Sequence, residues 1–218
     1  MQIAGHDIRR VAVIDDNELS RQTVADVVKD MELEPFCPSS LPDFNVAIST
    51  VTGNSNAMIS DHRLNVSGFS PFNGAELVAE SYKKCHPALL CTSWSSPAKD
   101  ELIPYRQWIP KVLEPPVNPD MVFDGLEIVL KEFKGEYKQW RKPWRALVRI
   151  EDVKRSDRYP ELFLVVPSWN PHRKLGIPLS MLPKKISDHV QPGDRLHALV
   201  NLGSEETTDL YFSDWEEK

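Results

Sequence analysis

Two short apolar runs in this chain end in carboxylates: Val11–Ile14 leads into Asp15 and Asp16, and Ala57–Ser60 leads into Asp61. A third run, Ala88–Thr92, closes on a hydroxyl. If the first two runs are adjacent parallel strands, three carboxylates converge at one edge of a sheet. Charges of one sign held so close repel, so the cluster is stable mainly around a hard cation. Mg²⁺ accepts oxygen ligands and keeps several waters, which two or three carboxylates accommodate. The chemistry this permits is nucleophilic: a carboxylate attacks a phosphoryl group while the metal neutralises its oxygens. The Thr92 hydroxyl is placed to bond a phosphoryl oxygen.

The elements that would position these groups follow from apolar periodicity. Val11–Ile14 is a short β-branched run bounded by charge, which reads as a buried strand, and Ala57–Ser60 reads the same way. Val24, Val27, Val28 and Met31 recur at helical spacing, predicting a helix over 18–31. A Pro-Phe-Asn-Gly turn opens a second helix over 73–85, and a third starts at Pro119 with Leu126, Val129, Leu130 and Phe133 on one face. Ala88–Thr92 and Trp108–Leu113 read as further strands, with a weakly marked one near Glu34–Cys37. Strands alternating with helices predict an α/β fold with a parallel sheet, whose site lies at the strands' C-terminal ends.

Beyond Trp140 the pattern changes. Ala146–Ile150, Glu161–Val166, Leu196–Leu202 and Thr208–Phe212 are apolar or alternating runs between polar turns, with Pro192-Gly193-Asp194 marking one turn. Four or five short strands in this length predict a small all-β barrel or sandwich of the OB or SH3-like kind. The boundary falls in the Lys134–Pro143 segment, giving domains of 1–138 and 139–218.

Residues 8–138 resemble the receiver domain of two-component response regulators. The resemblance rests on Val11-Ala12-Val13-Ile14-Asp15-Asp16-Asn17, on Asp61, on Asn73-Gly74-Ala75-Glu76-Leu77, on Leu89-Leu90-Cys91-Thr92 and on Glu114-Pro115-Pro116-Val117-Asn118-Pro119-Asp120. Separations of 46 residues from Asp15 to Asp61 and 31 from Asp61 to Thr92 are similar to those of that family. The resemblance implies a flavodoxin-like (βα)5 fold around a parallel five-stranded sheet. It makes Asp61 the phospho-acceptor, places Mg²⁺ at Asp15, Asp16, Asp61 and the main-chain carbonyl of Arg63, and makes Thr92 the hydroxyl that moves on activation. A histidine kinase or phosphotransfer protein would be the phosphoryl source.

Two positions depart from the family pattern. The slot for a Lys that pairs with the acceptor carboxylate falls on Glu114, or on Pro115 if the register shifts by one. Lys111, three positions from Glu114 along a strand, faces the opposite side. Lys111 also fills the slot of an aromatic switch residue, with Tyr105 and Trp108 out of register. Two versions follow: Asp61 accepts phosphate with altered output, or the domain is a phosphorylation-independent pseudo-receiver scaffold. The Pro115-Pro116 pair reads either as a cis bond shaping the loop beside the acids or as two trans prolines ending a strand before a helix.

Composition narrows the field. With 218 residues, 41% hydrophobic and 27% charged, the chain is long enough for two compact domains and too apolar for disorder. No run of about 18 apolar residues occurs, so no membrane insertion is expected. Met1–Ser20 carries Asp7, Arg9, Arg10, Asp15 and Asp16 and no long apolar core, so a secretory signal is not expected. Cys37, Cys85 and Cys91, without CxxC spacing, point to reduced thiols and a cytoplasmic location.

Residues 1–138 hold 13 basic and 20 acidic side chains, which disfavours polyanions there. Residues 139–185 hold 11 basic and 4 acidic, interleaved with Trp140, Trp144, Tyr159, Phe163 and Trp169. That stretch admits single-stranded nucleic acid as a ligand, but a basic surface that meets protein is the favoured reading. His172, His189 and His197 are scattered and lack metal spacing, and no GxSxG or phosphate-loop motif occurs. The expectation is a response-regulator-like signalling protein rather than an enzyme in the turnover sense. It would relay its state through the C-terminal domain to a downstream protein partner, with nucleic-acid binding as the alternative.

Overall fold

The computed structural model describes residues 1–65, 68–93 and 101–217. It divides into two compact units: one takes Met1–Ser95 and Trp108–Glu136, the other Ser96–Gln107 and Tyr137–Lys218.

The first unit begins with a hairpin, β1 (Gln2–Ile3) and β2 (His6–Asp7), that the periodicity did not mark. It continues through β3 (Arg10–Ile14), α1 (Glu18–Asp30), β4 (Glu34–Phe36), α2 (Phe44–Asn54), β5 (Ala57–Asp61), α3 (Gly74–Lys83), β6 (Ala88–Cys91), β7 (Val112–Leu113) and α4 (Pro119–Glu132). The five strands β4-β3-β5-β6-β7 pair in that order, all parallel. This is the flavodoxin-like order, with its switch point between β3 and β5. Helix α1 packs beside α4, and α2 beside α3, which covers the sheet on both faces. Double coverage explains why Val11–Ile14, Ala57–Ser60 and Ala88–Cys91 are buried at every position rather than at alternate ones. Side-chain caps fix three helix starts: Asn17 accepts from the Ser20 amide, Asp43 from Val46 and Asn118 from Met121.

The predicted strand at Trp108–Leu113 shrinks to Val112–Leu113, because Ile103–Trp108 forms a 3-10 helix and Pro110 has no amide to give a ladder. Helix α2 went unmarked in the sequence; its run of Thr, Val and Gly residues has weak helical propensity, and burial of Ala47, Ile48 and Val51 holds it.

The second unit contains β8 (Trp144–Lys154), β9 (Glu161–Val165), β10 (Leu175–Pro178), a short helix α5 (Lys184–Ser187), β11 (Arg195–Val200) and β12 (Phe212–Glu217). The order β10-β9-β8-β11-β12 is antiparallel throughout. Among the described residues no ladder joins β10 to β12. The sheet encloses one core that includes Val148, Ile150, Leu162, Leu164, Ile177 and Trp215. The last strand lies at 212–217 rather than at Thr208–Phe212, since Thr207–Asp209 is a 3-10 turn. There the side chain of Asn201 replaces the ladder: it accepts from the Tyr211 amide at 2.7 Å and donates to the carbonyls of Asp209 and Trp140, each at 3.0 Å. No helix among the described residues is long and apolar enough to cross a membrane.

Candidate functional site

The parallel register sets Ile14 level with Ser60 and Asp61 level with Cys91. Alternation then assigns faces: Val11, Val13 and Asp15 share one side with Ala57, Ile59 and Asp61, and with Leu89 and Cys91. The apolar members of this set pack into one cluster with Ala25 and Val28 of α1 and Val122 and Leu126 of α4. The polar members stand at the strand ends, Asp61 as the last residue of β5 and Asp15 just past β3, where that core opens to solvent. Asp15, Asp16 and Asp61 each present a carboxylate oxygen, and the three lie within 4.8 Å of one another.

The surrounding backbone fixes these side chains. The Asn17 amide donates to Asp15 Oδ1 at 2.8 Å, and Arg21 Nη1 donates to the Asp15 carbonyl at 2.7 Å. The Arg63 amide donates to Asp61 Oδ2 at 2.9 Å. The start of α3 comes so close to the end of β5 that the Gly74 amide donates to the His62 carbonyl at 2.8 Å. A cavity of about 610 Å³ opens above the acids, walled by Ser20, Thr23, Val24 and Val27 of α1, by Arg63, Cys91 and Ser93, and by Pro115, Pro116 and Val117. The Pro115–Pro116 peptide is cis.

Electrostatics follow from this crowding. Burial pushes the Asp15 carboxyl up to about 6, and the neighbouring Asp61 and Asp16 add to the rise against the Asn17 amide, which lowers it. Asp61 is raised too, chiefly by burial, while the His62 and Arg63 amides oppose the shift. Metal-free protein therefore carries a penalty at neutral pH. Unfolded Asp15 titrates near 3.9, about two units below its folded value. The stability from this group is complete below about pH 4 and is lost as pH rises through about 6. Discounted for partial exposure, the loss is about 1–2 kcal/mol. Asp15→Asn should accordingly raise the melting temperature of metal-free protein at pH 7 and leave it unchanged at pH 4. A variant less stable at pH 7 would contradict this balance.

The carboxylate set fits a hard divalent cation: three oxygen donors in one small region, with no lysine among the described residues of the cavity's walls. Among the described residues this is the one cluster of its kind. Arg63 borders the cavity and, among the described residues, is its one cationic wall residue. Glu114 and Lys111 are exposed and do not line it.

Thr92 is placed differently from Asp61. It is buried, its amide donates to the Leu113 carbonyl at 3.0 Å, and the cavity is walled by its neighbours Cys91 and Ser93 instead. The register is the cause: Cys91 pairs with Asp61, so Thr92 takes the opposite face. The sequence reading chose Thr92; the alternating series 57-59-61 and 89-91-93, set side by side, is the signal that would have pointed to Cys91 and Ser93 instead. Burial, with Asp61 and Asp15 nearby, pushes the Cys91 thiol up to about 12. Cys37 and Cys85 are exposed whereas Cys91 is buried. Alkylation of the native protein at pH 8 should thus add two labels by intact mass, with the third appearing only in denaturant. Three labels on native protein would show that the cavity floor is open.

In the second unit, the basic and aromatic residues are largely engaged with one another. Phe163 lies between Lys154 and Lys174, whose Nζ atoms stand 4.5 and 4.7 Å from its ring centroid. Trp169 Nε1 donates to the Ser204 carbonyl at 2.7 Å. His189 pairs with Glu217 at 2.5 Å.

No family model matches the sequence, and no curated protein matches it. Solved structures do match, and the N-terminal part of the chain is similar to receiver domains of response regulators. The chemotaxis protein CheY4 of Vibrio cholerae is 23% identical, with a TM-score of 0.43, over 57% of this chain and 100% of that one. A response regulator receiver domain protein from Clostridium thermocellum is 18% identical, with a TM-score of 0.44, over 58% and 97%. A putative response regulator from Chloroflexus aurantiacus is 18% identical, with a TM-score of 0.45, over 57% and 98%. The fold assignment rests on the strand order and helix placement described above.

Proposed function

We propose that the first unit is a phosphoryl-accepting receiver and that the second conveys its state to a partner protein. The observation that carries this reading is the convergence of Asp15, Asp16 and Asp61 within 4.8 Å at the C-terminal ends of adjacent parallel strands. Asp61, at the tip of β5, is the acceptor. One of its carboxylate oxygens attacks phosphorus, forming an O–P bond as the P–N bond of a phosphohistidine donor breaks, and the released ring nitrogen takes a proton from water to leave as neutral imidazole. Asp15, Asp16 and Asp61 would hold Mg²⁺, with the Arg63 carbonyl as a further ligand. When bound, the metal neutralises phosphoryl oxygens. The Asn17 and Arg63 amides orient the carboxylates, and α1 with the 115–117 loop shields the acyl phosphate from water.

The phosphoryl source is a histidine kinase or phosphotransfer protein, and the location is cytoplasmic. In place of the proposed role of Thr92, Ser93 supplies the hydroxyl at the rim and Cys91 the group beside Asp61. A silent pseudo-receiver is the second reading, favoured by one observation: the lysine slot holds Glu114, which is exposed and does not line the cavity among the described residues.

Intact mass after incubation with a small phosphodonor and Mg²⁺ separates the two. The first reading expects one added phosphoryl group, absent in Asp61→Asn and without Mg²⁺. An unmodified wild-type mass selects the second. Binding of labelled DNA or RNA that weakens steeply with salt would favour the nucleic-acid alternative for the second unit.

A further inference from the structure

After β6 the chain leaves the first unit and rejoins it at Trp108; the intervening piece, described from Glu101, belongs to the second unit. It is held there firmly. Ile103 packs against the second unit's core. Arg106, 4% exposed, pairs with Asp209 at 3.1 Å. Arg141, also 4% exposed, donates through Nη1 to the Arg106 carbonyl and through Nη2 to the Gln107 carbonyl, each at 2.8 Å. Its guanidinium lies 4.7 Å from the Tyr211 ring centroid, and the Tyr211 hydroxyl donates back to the Arg141 carbonyl at 2.7 Å. The second unit is thus assembled from two separate stretches of chain. Residues 137–217 alone lack the Arg106 and Gln107 carbonyls that accept from Arg141, the guanidinium that pairs with Asp209, and part of the core.

The return path is short. Only Trp108 to Glu114 separate Gln107, whose carbonyl Arg141 holds, from the Pro115, Pro116 and Val117 wall of the acidic cavity. Within that path Leu113 accepts from the Thr92 amide, next to Cys91 and Ser93 in another cavity wall. Strand β7 has only two residues and two ladder partners, so it is the element of the sheet most free to adjust.

We propose that the second unit holds residues 103–107 as a handle, so that the strength of this hold sets the order of the 112–117 strand and loop. Occupancy of the acidic cavity and the order of the handle are thereby coupled, each altering the other. The mechanical part stands on the contacts above; its use in signalling rests on the reading of the acidic cavity given under the proposed function.

Amide hydrogen exchange on the full chain tests it. In Arg141→Lys, Val112, Leu113, Glu114 and Val117 should exchange about fivefold faster or more, with Val11–Ile14 and Met58–Ser60 unchanged. Tyr211→Phe removes only the hydroxyl bond and should shift the same amides less. If Arg141→Lys also strips protection from Leu196–Val200, the second unit has opened and Tyr211→Phe decides. Faster exchange at 103–107 with wild-type rates at 112–117 overturns the proposal. Adding Mg²⁺ to the wild type should slow 103–107 by about threefold. Altered exchange at Asn17 and Arg63 with none at 103–107 overturns the coupling. No response at Asn17 and Arg63 counts instead against the metal reading, and the variants still decide the mechanical claim.

Discussion

Replacing Gly74 with alanine should cost about 3 kcal/mol or more and weaken any ligand at Asp61. A Cβ at this position would stand 1.7 Å from the Asp61 carbonyl oxygen, 2.6 Å from Ser60 Oγ and 2.8 Å from the Asp61 carbonyl carbon. Two of these neighbours are backbone atoms, which no side-chain rotation moves aside. The contact is also built in from the other side: Ser60 Oγ donates to that same carbonyl at 2.9 Å, and the Gly74 amide is tied to His62. Either α3 retreats and loses the His62 bond, or the tip of β5 shifts and takes the acceptor carboxylate out of the cluster. Gly53 supplies the control, since nothing lies within 4 Å of its added Cβ and it sits inside α2. Gly53→Ala should stabilise by about 0.5–1 kcal/mol. Urea unfolding midpoints read both, and equal effects from the two substitutions would refute the close-approach argument.

Arg141→Ala should destabilise the second unit by about 3–5 kcal/mol. The substitution leaves the Arg106 and Gln107 carbonyls without the guanidinium that both now accept from, and it opens a void beside the Tyr211 ring. Buried groups stripped of a charged partner lose their full desolvation compensation, which is why the effect exceeds that of an ordinary hydrogen bond. Arg145 gives the contrast: it pairs with Glu216 at 2.5 Å, yet both side chains are 57% exposed. Arg145→Ala should change stability by about 0.5 kcal/mol or less. Exchange protection at Leu196–Val200 measures both. An Arg141→Ala protein with wild-type protection there would show that the 103–107 segment is not part of this unit's framework.

Local chemistry was enough to read much of the first unit from the sequence. Continuous apolar runs such as Val11–Ile14 mark strands buried on both faces, and Asn118-Pro119-Asp120 marks a helix start by residue type. The convergence of Asp15, Asp16 and Asp61 followed from one assumption, that two runs are parallel neighbours. What the sequence could not carry was pairing between distant segments. The register of β5 against β6 decided that Cys91 rather than Thr92 lies beside Asp61, because a shift of one residue exchanges the faces of a strand.

The same limit applied at both ends of the second unit. Nothing local to Arg106 or Gln107 announces that Arg141 will hold their carbonyls from 34 or 35 positions away. Nor does the run through Thr208–Phe212 reveal that the Asn201 side chain takes over its ladder bonds. Propensity and periodicity act over a few residues, so they specify elements and the residue types at their tips. Which tips meet, and which chain stretch completes which core, depends on contacts between residues far apart in sequence, and those exist only in the folded chain.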